Sequence, residues 1–182
     1  SILWWKKTLA PMPTTKPTSE VGGAGEGRSQ ATLTREALHG RALAMLARRE
    51  HSAGEIRDKL RDIGGDDIQI DAVIADLQFR KLQSDARFSE SFVRSRAERG
   101  YGPRAIEMGL RERGIDRESA SLAMEASGYD WCEQAIDVRQ RRFGAGLPKE
   151  PRERARQMRF LQYRGFAGRE ISVALKGGGH DD

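Results

Sequence analysis

Residues 49–64 read Arg49-Glu50-His51-Ser52-Ala53-Gly54-Glu55-Ile56-Arg57-Asp58-Lys59-Leu60-Arg61-Asp62-Ile63-Gly64, and a pattern inside them returns twice. Arg49, the ring of His51, Ile56, Leu60 and Gly64 are answered at equal spacing by Arg99, Tyr101, Ile106, Leu110 and Gly114, then by Arg164, Phe166, Ile171, Leu175 and Gly179. An Ile and a Leu four apart fall on one face of an α-helix. The Arg sits where a preceding helix would end, because cations complement the terminal carbonyls. The ring two residues on lies in the connection, placed to fold over the joint between two helices. Ser52 suits the N-cap of the second helix and Pro103 its first turn. The shared Gly supplies the left-handed residue that ends many helices. The unit is helix, tight turn, helix, about 25 residues long on usual element lengths.

Upstream, Thr34 is a plausible N-cap for a helix whose Leu38, Ala42, Met45 and Leu46 share a face as far as Arg49. The next helix carries Ile56, Leu60 and Ile63. Gly64 to Asp67 break the chain, and Asp71 is expected to open a third helix striped by Ile70, Val73, Ile74, Leu77 and Leu82. A second set runs from Ser84 and Asp85 through Phe88, Phe92 and Val93, then Ile106 and Leu110, then Ile115-Asp116 with Ala120, Ala123, Met124 and Ser127. The third set begins at Asp130 with Trp131, Ala135 and Val138, and breaks near Gly144, Gly146 and Pro148. A helix from Pro151 to Arg164 carries Met158 and Leu161, and the third motif helix follows. In this register the third set holds an extra helix first and the motif pair second, so it reads as permuted or incomplete. About nine helices and no strand result: an all-α, elongated array of three tandem three-helix, helix-turn-helix-like repeats at 34–83, 84–128 and 129–176. Units this small bury little surface alone, so neighbours share cores.

Residues 1–31 differ, with Pro11, Pro13, Pro17 and four glycines among Thr and Ser, and read as a disordered N-terminal tail. Trp4, Trp5, Lys6 and Lys7 fit an extension upstream of a natural start at Met12 better than a membrane or partner anchor. Residues 177–182 form a flexible C-terminal tail.

Charged residues make up 32% of the chain, above the roughly 25% of typical globular proteins, which means wide solvated faces. The net charge is only +5, so the placement of charge matters more than its total. One cysteine, Cys132, excludes an internal disulfide and fits a reducing compartment. No apolar run approaches the ~20 residues of a membrane helix. A cytosolic location is expected.

The runs Leu46-Ala47-Arg48-Arg49-Glu50-His51-Ser52, Gly100-Tyr101-Gly102-Pro103 with Ile106 and Leu110, Arg113-Gly114-Ile115, and Leu161-Gln162-Tyr163-Arg164-Gly165-Phe166 with Ile171 and Leu175 together resemble the RecX family of bacterial regulatory proteins. The likeness covers roughly residues 36 to 176. It implies three three-helix repeats that bind the RecA recombinase and its filament on single-stranded DNA. It implies inhibition of RecA ATPase, strand exchange and co-protease activity, and restraint of recombination and the SOS response. A monomer is expected, with no membrane partner, and direct contact with single-stranded DNA is left open.

Charge placement points independently to a polyanionic or acidic partner. Arg139, Arg141, Arg142, Lys149, Arg152, Arg154, Arg156, Arg159, Arg164 and Arg169 stand in one segment against Glu150 and Glu153 alone. Nine of the ten are Arg, whose planar fork suits phosphates and carboxylates. Arg152, Arg156 and Arg159 line one helix face. The alternative, a solvated face paired with distant acids, is weaker because few acids lie nearby. For Arg94, Arg96, Arg99 and Arg104 it is the stronger reading, since Glu90, Glu98 and Glu107 offer local partners. The rings of Tyr101 and Phe166 could stack on bases, but their fixed place in a turn suits packing better.

No catalytic, cofactor or metal constellation stands out. His39, His51 and His180 are dispersed, Cys132 has no nearby His, and no phosphate-cradling Gly loop ends in Lys-Ser/Thr. Gly64 to Asp67 with Asp71 lack the closing Glu of a calcium loop and read as helix-ending and helix-capping residues. A non-enzymatic modulator is favoured. Two alternatives remain, a helix-turn-helix transcription regulator and a passive helical scaffold for another acidic protein; against the first, helices holding Glu55, Asp58, Glu107 and Glu112 are mixed in charge for reading a major groove.

Overall fold

Side-chain caps set where most of the helices begin. Thr34, Ser52, Asp66, Ser84, Asp116 and Asp130 each accept a backbone N–H from the first turn that follows them, and Pro103 and Pro151 stand at the heads of two more helices. The computed structural model describes residues 33–176. Its nine helices are α1 (Arg35–Leu46), α2 (Ala53–Asp62), α3 (Asp67–Phe79), α4 (Asp85–Glu98), α5 (Pro103–Arg111), α6 (Arg117–Ala126), α7 (Trp131–Phe143), α8 (Pro151–Tyr163) and α9 (Gly168–Lys176). No strand occurs among the described residues, and no described helix is long and apolar enough to cross a membrane. The two expected tails and Gly179 lie outside the described residues.

Each trio of helices closes its own core. Leu38, Ile56, Leu60, Ile70, Val73 and Leu77 meet in the first, Phe88, Val93, Ile106, Leu110 and Ile115 in the second, and Ala135, Leu161, Phe166, Ile171 and Leu175 in the third. Burying one such aliphatic side chain contributes about 1.5–3 kcal/mol, so each core is modest and the joints between repeats matter.

Those joints reveal the true repeat. The α2 N-terminus abuts the turn after α5: Ser52 Oγ donates to the Arg113 carbonyl at 2.7 Å. The α5 N-terminus abuts the turn after α8 in the same way, with the Gly102 N–H donating to the Arg164 carbonyl at 2.8 Å and the Arg104 N–H to the Gly165 carbonyl at 3.1 Å. Gly64, Gly114 and Gly165, at φ of 91°, 80° and 92°, close α2, α5 and α8. The third copy is therefore not permuted: α8 matches α2 and α5, and α9 matches α3 and α6. Arg164 is the counterpart of Arg113, and Phe166 that of Ile115. The cause of the misreading is Gln157, which is 3% exposed and lies four residues before Leu161. It takes the place that Ile56 and Ile106 hold, so the Ile-Leu signature is missing from α8 and an equivalent spacing in α9 imitates it.

Several smaller expectations also change. The third helix is capped by Asp66 rather than opened at Asp71. Ile63 is 46% exposed as the α2 C-cap, Leu82 is 44% exposed beyond the end of α3, and Met158 is 36% exposed beside the buried Gln157.

Candidate partner-binding surface

The ten basic side chains of the third repeat do not act as one patch. Arg139 is turned inward at 1% exposure, its Nη1 donating to the Gly146 carbonyl at 2.8 Å and its Nη2 to the Ala145 carbonyl at 3.2 Å. It pins the α7–α8 loop and is not available to a partner, because burial of its charge is tolerated only through those carbonyls. Arg154 leans toward the end of α9, donating to the Leu175 carbonyl at 3.3 Å, where its charge complements the helix C-terminus. Arg141 pairs with Asp137 on its own helix. Arg142, Lys149, Arg152, Arg159 and Arg169 are exposed and have no ion pair among the described residues. On α8, Arg152, Arg156 and Arg159 all face solvent, with Arg156 held by Glu153 at 3.0 Å.

Guanidiniums and rings alternate from the third repeat into the second. Arg156 lies 5.1 Å over Phe143, which meets Phe160 edge-on at 5.2 Å. Arg164 lies 5.4 Å from both Phe160 and Tyr101. Arg96 then lies 5.3 Å from Tyr101 and 5.0 Å from Phe92, and Arg113 closes the series 4.9 Å from Phe92. Contacts of this kind are worth about 0.5–2 kcal/mol each, depending on desolvation. Burial and the neighbouring Arg113 hold the Arg96 guanidinium below its usual pKa. Two guanidiniums lie over Tyr101, so its ring serves the joint between repeats. Phe166 is buried in the third core.

Two grooves open along this series, one at each joint. The first, about 280 Å³, is lined by Arg49, Glu55, Phe92, Ser95, Arg96 and Arg113, among others. The second, about 210 Å³, is lined by Glu98, Arg99, Gly100, Val138, Arg141, Arg142, Phe160 and Arg164. Position by position they are one groove built twice: Arg49 answers Arg99, Phe92 Val138, Ser95 Arg141, Arg96 Arg142, and Arg113 Arg164. In the first, Glu55 accepts from Arg49 Nη1 at 2.9 Å and Arg113 Nε at 3.1 Å and so bridges the two. The matching position in the second is Ala105, which brings no charge.

Sequence reasoning missed Arg49, Arg96, Arg99 and Arg113 as groove residues. Glu98 was expected to offset Arg99, but it makes no ion pair among the described residues; Arg94 does pair with Glu90, at 4.0 Å. The available signal was the Arg-Gly dipeptide at Arg113-Gly114 that recurs at Arg164-Gly165. No three His, Cys, Asp or Glu among the described residues gather to hold a metal. Asp66 caps α3, and Asp71 pairs with Arg57 at 2.7 Å.

Comparison with known proteins bears on this architecture. Models of the first, second and third three-helix domains of RecX match residues 40–77, 84–124 and 129–175. A regulatory protein RecX of Pseudomonas fluorescens is 45% identical over 141 residues, spanning 78% of this chain and 91% of its own length. A regulatory protein RecX of Halorhodospira halophila is 42% identical over 154 residues, spanning 85% and 96%. In fold, the chain is similar to the crystal structure of RecX from Lactobacillus salivarius, with a TM-score of 0.66 at 22% identity over 79% of this chain and 96% of that one.

Proposed function

The chain belongs to the RecX family of regulatory proteins, and we propose that it acts without catalysis, by binding the RecA recombinase assembled on single-stranded DNA. In this reading it lies along the filament and touches successive protomers, holding them in one conformation. Because a ligand shifts an equilibrium only through its differential affinity for the two states, such binding would lower RecA ATPase, strand exchange and co-protease activity together. It would thereby restrain recombination and the SOS response, acting in the cytoplasm as a monomer. The supporting observation is the exposed arginine stripe of α8, Arg152, Arg156 and Arg159, of which Arg152 and Arg159 make no ion pair among the described residues.

The test follows ATP hydrolysis by RecA on single-stranded DNA at sub-stoichiometric amounts of the protein. Inhibition is expected, weakened in a variant with Arg152, Arg156 and Arg159 all replaced by Ala. A flat response would remove RecA as the partner, and unchanged inhibition by the variant would remove the stripe. The helix-turn-helix alternative is less well supported. Such a motif reads bases with the N-terminal residues of its second helix, and here the N-termini of α2 and α5 are covered by the turns after α5 and α8.

A further inference from the structure

We propose that the groove between the second and third repeats is a socket for a carboxylate side chain of an acidic protein segment, held between Arg99 and Arg164 with Arg142 beside them. The argument rests on the groove's own duplicate. At the first joint the same framework is filled from within, where Glu55 bridges Arg49 and Arg113 at 2.9 and 3.1 Å. At the second joint the three framework arginines are kept as Arg99, Arg142 and Arg164, and Arg141 takes the place of Ser95, but the bridging carboxylate is missing because Ala105 stands where Glu55 does.

The second groove keeps its arginines ready for a ligand. Arg164 is oriented by donating Nη1 to the Arg99 carbonyl at 3.0 Å and by lying over Tyr101 and Phe160, which leaves Nε and Nη2 to receive an oxygen pair. Arg113 is used in the same way at the first joint, with Nη1 on the Gly109 carbonyl at 2.7 Å and Nε on Glu55. Among the described residues Arg99 and Arg142 are exposed and make no ion pair, Arg141 is occupied by Asp137, and Glu98, which also lines the groove, pairs with none of them. Val138 and Phe160 floor the groove with apolar surface, which lowers the local dielectric and strengthens a charge-assisted pair. A glutamate or aspartate is favoured over a nucleic-acid phosphate because the occupant shown at the duplicate site is a carboxylate, and because the rings that could hold a base are already covered by guanidiniums.

This inference goes beyond RecA, since the socket would accept an acidic segment of any protein, and its test uses no RecA. Binding of a fluorescein-labelled peptide of six glutamates is followed by anisotropy, beside a six-glutamine peptide and an oligothymidylate of similar length. The glutamate peptide is expected to bind and the glutamine peptide not. Affinity is expected to fall about tenfold or more in the R99A/R142A double variant, as the loss of charge-assisted bonds implies. R99E, which removes one groove arginine and sets a carboxylate beside the others, is expected to abolish binding. Both positions are solvent-exposed, and unchanged helicity by circular dichroism checks the fold. Absence of glutamate-peptide binding to the unmodified protein, or equal affinity in R99A/R142A, would overturn the proposal. So would oligothymidylate outcompeting the peptide for the same arginines, which would make the groove a phosphate site.

Discussion

Gly54 offers the sharpest test of how the repeats are joined. It is the second residue of α2, where replacing Gly by Ala in a helix ordinarily stabilises by about 0.5–1 kcal/mol. A Cβ added there would stand 2.5 Å from the Arg113 carbonyl oxygen and 3.0 Å from its carbon, both backbone atoms of the next repeat. Relief requires the first two repeats to separate by nearly 1 Å, judged against ordinary contact at 3.4 Å. That shift would stretch the 2.7 Å bond from Ser52 Oγ and the 3.1 Å bond between Arg113 and Glu55 toward breaking. A neutral bond is worth about 1 kcal/mol and a charged one about 1.5–3 kcal/mol, so the net expectation for G54A is a loss of about 2 kcal/mol. Gly40 is the control: it lies within α1 with nothing inside 4 Å of its would-be Cβ, and G40A should stabilise by about 0.5–1 kcal/mol. Urea denaturation followed by circular dichroism reads both variants, and G54A should also broaden or split the transition as coupling between the first two repeats weakens. A G54A protein as stable as G40A would refute the joint.

At the second joint, Gly165 combines a φ of 92° with the Ala105 backbone nitrogen 2.6 Å from its would-be Cβ, so G165A should cost more than G54A, roughly 3 kcal/mol or above, in the same urea assay. His51 is held neutral, since burial pushes its pKa below the ordinary value despite its bond to the Arg49 carbonyl. The unfolded chain therefore takes up that proton first as pH falls below about 6.5, and stability present above that pH is lost on acidification until the folded-state pKa is passed. H51F should flatten this part of the profile in unfolding measured between pH 7.5 and 5, and parallel profiles would count against it. R139M removes the two bonds that pin the α7–α8 loop while relieving a buried charge, so global stability should change little. Tryptic cleavage after Lys149 should nonetheless become faster, and an unchanged cleavage rate would show that the loop is held by other contacts.

The helices themselves were legible because their signals are local. Thr34 and Ser52 cap what they were expected to cap, Pro103 and Pro151 open helices, and Leu38, Ile56, Leu60, Ile106 and Leu110 are buried as their spacing implies. The register of the third repeat was not legible, because a spacing of four says that two residues share a face but not which helix of a repeat they belong to. With Gln157 in the Ile position of α8, Ile171 and Leu175 of α9 supplied a false match. The candidate surface divided similarly: the exposure of Arg152 and Arg159 follows from the amphipathic pattern of α8, whereas the inward turn of Arg139 depends on carbonyls at Ala145 and Gly146 that only the folded loop brings near.

The amino-acid sequence alone thus determined an all-helical chain of three repeats and an arginine-rich third unit, since caps, periodicity and composition act within a few residues. Tertiary structure alone decided which arginines share a groove and which carboxylate, if any, bridges them. Arg99 and Arg164 are 65 residues apart in the chain, and Arg164 Nη1 donates to the Arg99 carbonyl at 3.0 Å only because the N-terminus of α5 packs on the turn after α8. A pairing set by the docking of two helix ends leaves no trace in the local pattern of either.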